Sequence, residues 1–260
     1  MGILNVTPDS FFDGRKYFQI EDAIKQAEKL INSGADIIDI GGESTRPNAK
    51  LVSEEEELRR VIPVVKELVK FRNDSVSAYG RVGVSAKFLI SIDTYKSNVA
   101  RLAINAGAKM INDVSGLTMD PNMVKVAAEY KCPVVIMHNE GIPATKPVED
   151  VSACRSIGVS EYLEGIYNWL KKQTDYAMSN GIKKENIIID PGIGFGKSAE
   201  EDLEIIQNLQ KFKSLGFPIL IGPSRKPFIK KLFGENNLEA KSKEITDLAV
   251  KNGADIVRVH

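Results

Sequence analysis

The chain has 260 residues, with 35 basic and 35 acidic side chains and a pI near 6.8, so no long-range field favours nucleic acid or an anionic membrane. A single domain spanning 1–260 suits that length, because one α/β barrel takes about 250 residues. Cys132 and Cys154 fit neither a disulfide framework nor a zinc site, and no apolar run approaches the roughly 20 residues of a membrane span. A cytoplasmic protein with small-molecule partners is expected, binding neither nucleic acid nor membrane.

Apolar runs too short for helices and too apolar for surface strands recur along the chain, as parallel strands covered on both faces do. The first strand is expected over Ile3–Val6, followed by a helical period at Ala23, Ala27, Leu30 and Ile31 that stops at Asn32, Ser33 and Gly34. Next come a strand at Asp36–Ile40 and a helix from Ser53 to Phe71, with Ser53 and Glu56 spaced as a capping box. Strand Phe88–Ile92, helix Lys96–Ala106, strand Lys109–Asn112 and helix Pro121–Tyr130 carry the alternation on. Strand Val134–His138, helix Glu161–Ser179, strand Ile187–Asp190 and helix Glu200–Phe212 follow. Strand Pro218–Gly222, short helices at Pro227–Phe233 and Glu244–Lys251, and strand Ile256–Val259 complete the pattern.

Eight strands alternating with helices favour a closed (β/α)8 TIM-type barrel, here without its last helix, over an open doubly wound sheet. The open sheet would bring fewer strands, or GxGxxG after strand one, where NVTPDSFFDG stands instead. The polar stretch Arg72–Lys87 joins a helix to a strand and reads as a surface loop at the end of the barrel away from chemistry.

Polar residues collect at the strand C-termini, where such folds build their sites. Asp93, Asn112 and Asp190 end three strands, and a partly desolvated carboxylate needs a cation or a set of N–H donors. The amino group and ring N–H of a pterin or guanine-like ring edge supply that set; capping a helix or satisfying backbone amides is the plainer alternative for any one acid alone. DPGIGFGK, from Asp190 to Lys197, is a Gly-rich loop that lets a ligand approach its backbone, but it lacks the spacing of a nucleotide P-loop. GPSRK, from Gly222 to Lys226, places two cations ahead of a helix, and with Arg258 and His260 after the next strand it makes an anion site. Asn5, Asp9 and Asp13 offer oxygens suited to magnesium, and the paired Phe11 and Phe12 suit closure over something flat.

GILNVTPDSF, IIDIGGESTRP, SIDT, INDVSG, MH with Gly141 and Pro143 beyond it, DPGIGFGK, GPSRK and the closing RVH together resemble the dihydropteroate synthase family. They cover the whole chain in that family's order. The resemblance implies an enzyme joining a dihydropterin pyrophosphate to para-aminobenzoate. Asp93, Asn112, Asp190 and Lys226 would hold the pterin ring, with Met137, Phe195 and Gly222 lining its slot. Asn5, Arg258 and His260 would hold the pyrophosphate, with Mg2+ at Asn5. Asp9, Phe11, Asp13, Thr45, Arg46, Pro47 and Ser224 would close over the pyrophosphate and seat the aminobenzoate. Lys226, Arg258, His260, Asp9 and Asp13 would carry the chemistry, by a dissociative route without a covalent enzyme intermediate, in a homodimer. A pterin-binding methyltransferase domain and a non-catalytic pterin-binding module are the alternatives.

Against the family pattern, Pro227 offers neither hydroxyl nor N–H to the aminobenzoate carboxylate. The chain also reads as trimmed at both ends, so substrate binding is expected to be weak and to recover when the chain is extended past His260.

Overall fold

The computed structural model describes residues 1–7, 16–44, 49, 51–77, 88–140 and 158–260. They form two compact units, one drawn from Met1–Ser44, Lys50–Asn112 and His260, the other from Thr45–Ala49 and Asp113–Val259.

The first unit is built on β1 (Gly2–Asn5), β2 (Ile37–Gly41), β3 (Leu89–Asp93) and β4 (Met110–Asp113), with α1 (Lys16–Asn32), α2 (Glu54–Ser77) and α3 (Ser97–Ala106) between them. All its strand pairings are parallel, and the register is continuous across them: Asn5 stands against Gly41, Gly41 against Asp93, and Asp93 against Asn112. Ile38, Ile40, Ile90 and Ile92 are buried, as strands covered on both faces require. Val61, Val64, Val65 and Leu68 recur at helical spacing on α2 and are buried together, while Glu54, Glu55, Glu56 and Glu57 occupy its first turn, where the helix dipole favours acids.

The second unit holds β5 (Val134–Met137), β6 (Ile187–Asp190), β7 (Leu220–Ile221) and β8 (Ile256–Val257). Its helices are α4 (Met123–Tyr130), α5 (Val159–Ser179), α6 (Ala199–Gln207), α7 (Leu209–Lys213), α8 (Pro227–Phe233) and α9 (Leu238–Lys251). β5 pairs with β6 and β7 with β8, both in parallel, and a parallel bridge joins Ile189 to Ile219. Every residue of β5 and β6 is buried.

The strand–helix order is the expected one, with local departures. α2 continues to Ser77, so Arg72–Ser77 is helix rather than loop; 78–87 lie outside the described residues. The helix expected over Glu200–Phe212 is broken at Asn208, whose Nδ2 donates to the Glu204 carbonyl at 2.8 Å, as Asn does when it competes with a helix ladder. α9 starts at Leu238 rather than Glu244; only Ile245 and Ala249 are buried, so its first half carries no apolar period by which the sequence could show it. At α2, Ser53 Oγ accepts the Glu56 N–H at 3.2 Å, while the Glu56 carboxylate turns to Arg59 and Arg60, which hold its pKa down at about 2. The reciprocal box forms at α6, where Ser198 Oγ accepts from Glu201 N and Glu201 accepts from Ser198 N.

Candidate active site

In the first unit the register sets a polar row at the strand C-termini: Asn5, Gly41, Asp93 and Asn112. A Cβ placed on Gly41 would lie 3.6 Å from an Asp93 carboxylate oxygen and 3.7 Å from Asn5 Oδ1, so the missing side chain leaves space between the two. Asn112 is buried, and its Nδ2 donates to Asp39 Oδ2 at 2.9 Å, which turns its carbonyl oxygen into the acceptor it can present. Asp39, in ADIIDIGG, is wholly buried; nothing in the sequence separates it from the other acids of such runs until Asn112 is seen above it.

Behind this row lies a cluster that sequence reasoning did not find. Lys96, three residues after Asp93, sits between Glu43 of the GGE turn and Glu57 of α2, and the Tyr95 hydroxyl lies 3.1 Å from Glu43. Burial opposes the Lys96 charge, but the two carboxylates outweigh it and raise its pKa. For Glu57 burial is the larger effect and pushes its carboxyl up despite Lys96. Arg60 Nη1 donates to the Gly42 carbonyl at 2.8 Å, so the base of the β2 loop is held at two adjoining residues.

The second unit carries an acid of its own at a strand end. Asp190 ends β6 beside Met137, and its Oδ1 accepts the Gly192 N–H at 2.7 Å. Burial drives its pKa up to about 6, against the Gly192 N–H and the charges of Lys226, Lys197 and Arg258. Gly192 has φ 73°, and a Cβ there would lie 1.8 Å from the His138 carbonyl oxygen, so only glycine fits this crossing. The Gly194 N–H donates to Asp202 Oδ1 at 2.7 Å, and a Cβ on Gly194 would reach to 2.9 Å from Lys226 Cδ. Lys226 Nζ stands 4.3 Å from the centre of the Phe195 ring, a cation–π distance. Asp202, on the first turn of α6, is buried, and burial lifts its pKa to about 7.

After β7, Gly222 lies against Arg258, whose Cβ is 3.8 Å from where a Gly222 side chain would start and whose N–H donates to the Ile221 carbonyl at 2.8 Å. Met137 is buried, Ser224, Lys226 and Arg258 are half-buried, and His260 is exposed. Of the two cations in GPSRK, Arg225 is exposed on a turn with φ 54°, so Lys226 is the one that enters the site. Asp9, Phe11, Asp13, Thr45, Arg46 and Pro47 lie outside the described residues. Among the described residues no three His, Cys, Asp or Glu side chains gather as a metal-binding set.

The pterin-binding enzyme family matches the chain over residues 1–260. A dihydropteroate synthase of Clostridium beijerinckii is 43% identical, the alignment covering 100% of this chain and 87% of the relative. This chain is a member of the dihydropteroate synthase family. The Clostridium difficile dihydropteroate synthase, solved in the presence of pteroic acid, superposes with a TM-score of 0.84 at 42% identity, covering 100% of this chain and 89% of that one. The Anaplasma phagocytophilum dihydropteroate synthase, solved with 6-hydroxymethylpterin-monophosphate, gives 0.86 at 36% identity over 100% and 92%. The fold is the family's, the α/β barrel class expected from the strand–helix alternation.

Proposed function

We propose that this chain condenses 7,8-dihydropterin-6-ylmethyl pyrophosphate with para-aminobenzoate, giving 7,8-dihydropteroate and pyrophosphate. The observation that carries this reading is the buried Asp190 at the end of β6, faced by Lys226 and Arg258, in a chain that matches the family from end to end. Asp190, with Asp93 and Asn112, accepts from the amino group and ring nitrogens of the pterin. Phe195, Met137 and Gly222 line the ring, and Lys226 donates to it while its charge sits against Phe195. Arg258 and His260 take the pyrophosphate, with Asn5 as the protein ligand of a magnesium ion that neutralises the departing phosphates when bound. The loop residues Asp9, Phe11, Asp13, Thr45, Arg46 and Pro47, with Ser224, close over the substrates and seat the aminobenzoate.

The reaction then needs no enzyme nucleophile. The bond from the pterin methylene to the pyrophosphate oxygen breaks with both electrons leaving on pyrophosphate. The arylamine lone pair forms the new C–N bond, and that nitrogen releases a proton. Arg258 and His260 act where charge builds on the leaving group, and carboxylates that hold the pterin favour the cationic methylene. The same reading sets the enzyme in the cytoplasm as a homodimer; Cys132, a buried free thiol whose pKa burial pushes to about 11, is in keeping with the compartment.

The test is pyrophosphate release with each substrate alone and with both, at several magnesium concentrations. Release that requires both substrates and magnesium is expected. A pterin methyltransferase or a bare binding module would release none, and that result would overturn the reading.

A further inference from the structure

Lys197, the last residue of DPGIGFGK, has no exposed surface at all, yet it carries a charge that burial strongly disfavours. Its Nζ reaches three backbone carbonyls: Gly192 at 2.7 Å, His138 at 3.3 Å and Phe195 at 3.3 Å. An ammonium has three N–H donors, so one side chain can reach several carbonyls at once. Two belong to the loop after β6 and the third to the end of β5, so one side chain ties the two together. Its nearest loop contacts flank the residues assigned to the pterin: Gly192 follows two residues after Asp190, and Phe195 lies under Lys226. The opposite edge of the loop is held by Asp202, through the Gly194 N–H at 2.7 Å.

We propose that Lys197 is a positioning residue of the reaction, fastening the loop after β6 to the end of β5 so that Asp190, Phe195 and Lys226 meet the pterin together. This inference rests on the assignment of those three residues to the pterin. A neutral side chain of similar length would fill the same space without drawing three carbonyls to one point, so packing alone does not account for the charge. The charge has a second consequence. Lys197, Lys226 and Arg258 are the cations facing Asp190, next to the His138 backbone, and together they oppose the burial that would protonate it. With Lys197 neutral, Asp190 takes up its proton at a higher pH, and a protonated Asp190 is a poorer acceptor for pterin N–H groups.

The experiment compares the parent protein with Lys197→Met, and with Lys197→Gln should the first not fold, since glutamine keeps two N–H donors without the charge. Binding of 6-hydroxymethyl-7,8-dihydropterin pyrophosphate is followed by calorimetry across pH, and KM for para-aminobenzoate at saturating pterin. The dissociation constant for the pterin is expected to rise on the order of 100-fold, as for a misplaced positioning group. The acid limb of pterin binding should move to higher pH, while KM for aminobenzoate stays within about threefold. A general loss of packing would not move the acid limb. Pterin affinity and acid limb unchanged in a folded variant would overturn the inference. Asp190→Asn is run alongside: if it binds pterin like the parent, the assignment of Asp190 itself fails, whereas loss there with normal binding in the Lys197 variant sinks only the role of Lys197.

Discussion

Each unit fixes a lysine ammonium, half-buried at Lys96 and fully buried at Lys197, and the partners seen around the two differ in kind. Lys96 is held by carboxylates, Glu43 and Glu57, with the Tyr95 ring 4.6 Å from its Nζ. Lys197 Nζ donates to three backbone carbonyls, which are dipoles rather than charges, and lies near buried acids. The first arrangement neutralises its cation locally and ties a helix to two loop bases. The second leaves the cation's field to reach the acids around it, Asp190 and Asp202. A buried ion triad is thus a structural clasp, while a lysine caged by carbonyls also acts electrostatically on its neighbours. The comparison can be broken at several points.

The largest expected effect is at the carbonyl cage. In Gly192→Ala the new Cβ would meet the His138 carbonyl oxygen at 1.8 Å, on a residue with φ 73°. Both Gly192 and His138 supply carbonyls to Lys197, so relieving the clash by moving backbone also opens the cage. A stability loss of roughly 4 kcal/mol in urea denaturation is expected, from strain and overpacking together. A loss below about 1 kcal/mol, the central value for ordinary substitutions, would mean that the crossing is not rigid and that the cage does not tie the loop.

Next comes the clasp. Lys96→Met leaves Glu43 and Glu57 together without their cation, and removing one partner of a buried ion pair costs about 3 kcal/mol. Its pH dependence has a definite sign. The Glu57 pKa is already raised in the folded state by burial, so its contribution is most favourable below the ordinary glutamate range and is lost as pH rises through its folded value. Without Lys96 that pKa climbs further, so the stability gap between parent and variant should widen from pH 4 to pH 8. A gap that does not change with pH would show that the carboxylates are not confined by the fold.

Much of this was legible in the residues. The polar row Asn5, Asp93 and Asn112 follows from strands that end in acid or amide, and Asp190 from the same rule, because a short apolar run fixes its own C-terminus. Lys226 and Phe195 were legible as members of motifs, but their contact was not, since it depends on Gly194 having no side chain. Lys197 was visible as the end of a glycine loop, and its burial was not, because a lysine after FG reads as a surface residue unless three carbonyls are known to converge. Glu43, Glu57 and Lys96 come from three separate elements, and no spacing in one dimension brings them together. The capping box shows a different failure: S-x-x-E occurs at Ser53 and at Ser198, and only at Ser198 is the glutamate not captured by neighbouring arginines.

The smallest effect belongs to a glycine outside both lysine sites. Gly165 lies within α5, is exposed, and a Cβ there would meet nothing within 4 Å. No positive φ requires glycine at this position, so Gly165→Ala meets neither the clash nor the strain of Gly192→Ala. Alanine is favoured over glycine in a helix interior by about 1 kcal/mol, largely through the entropy of the unfolded chain. The variant should therefore be more stable by about that amount, with pterin affinity and the acid limb of binding unchanged. That pairing separates global stability from the behaviour of the Lys197 cage. If stabilising a distant helix also moved the acid limb, then the limb would report folding rather than the ionisation of Asp190, and the electrostatic half of the comparison between the two lysines would have to be abandoned.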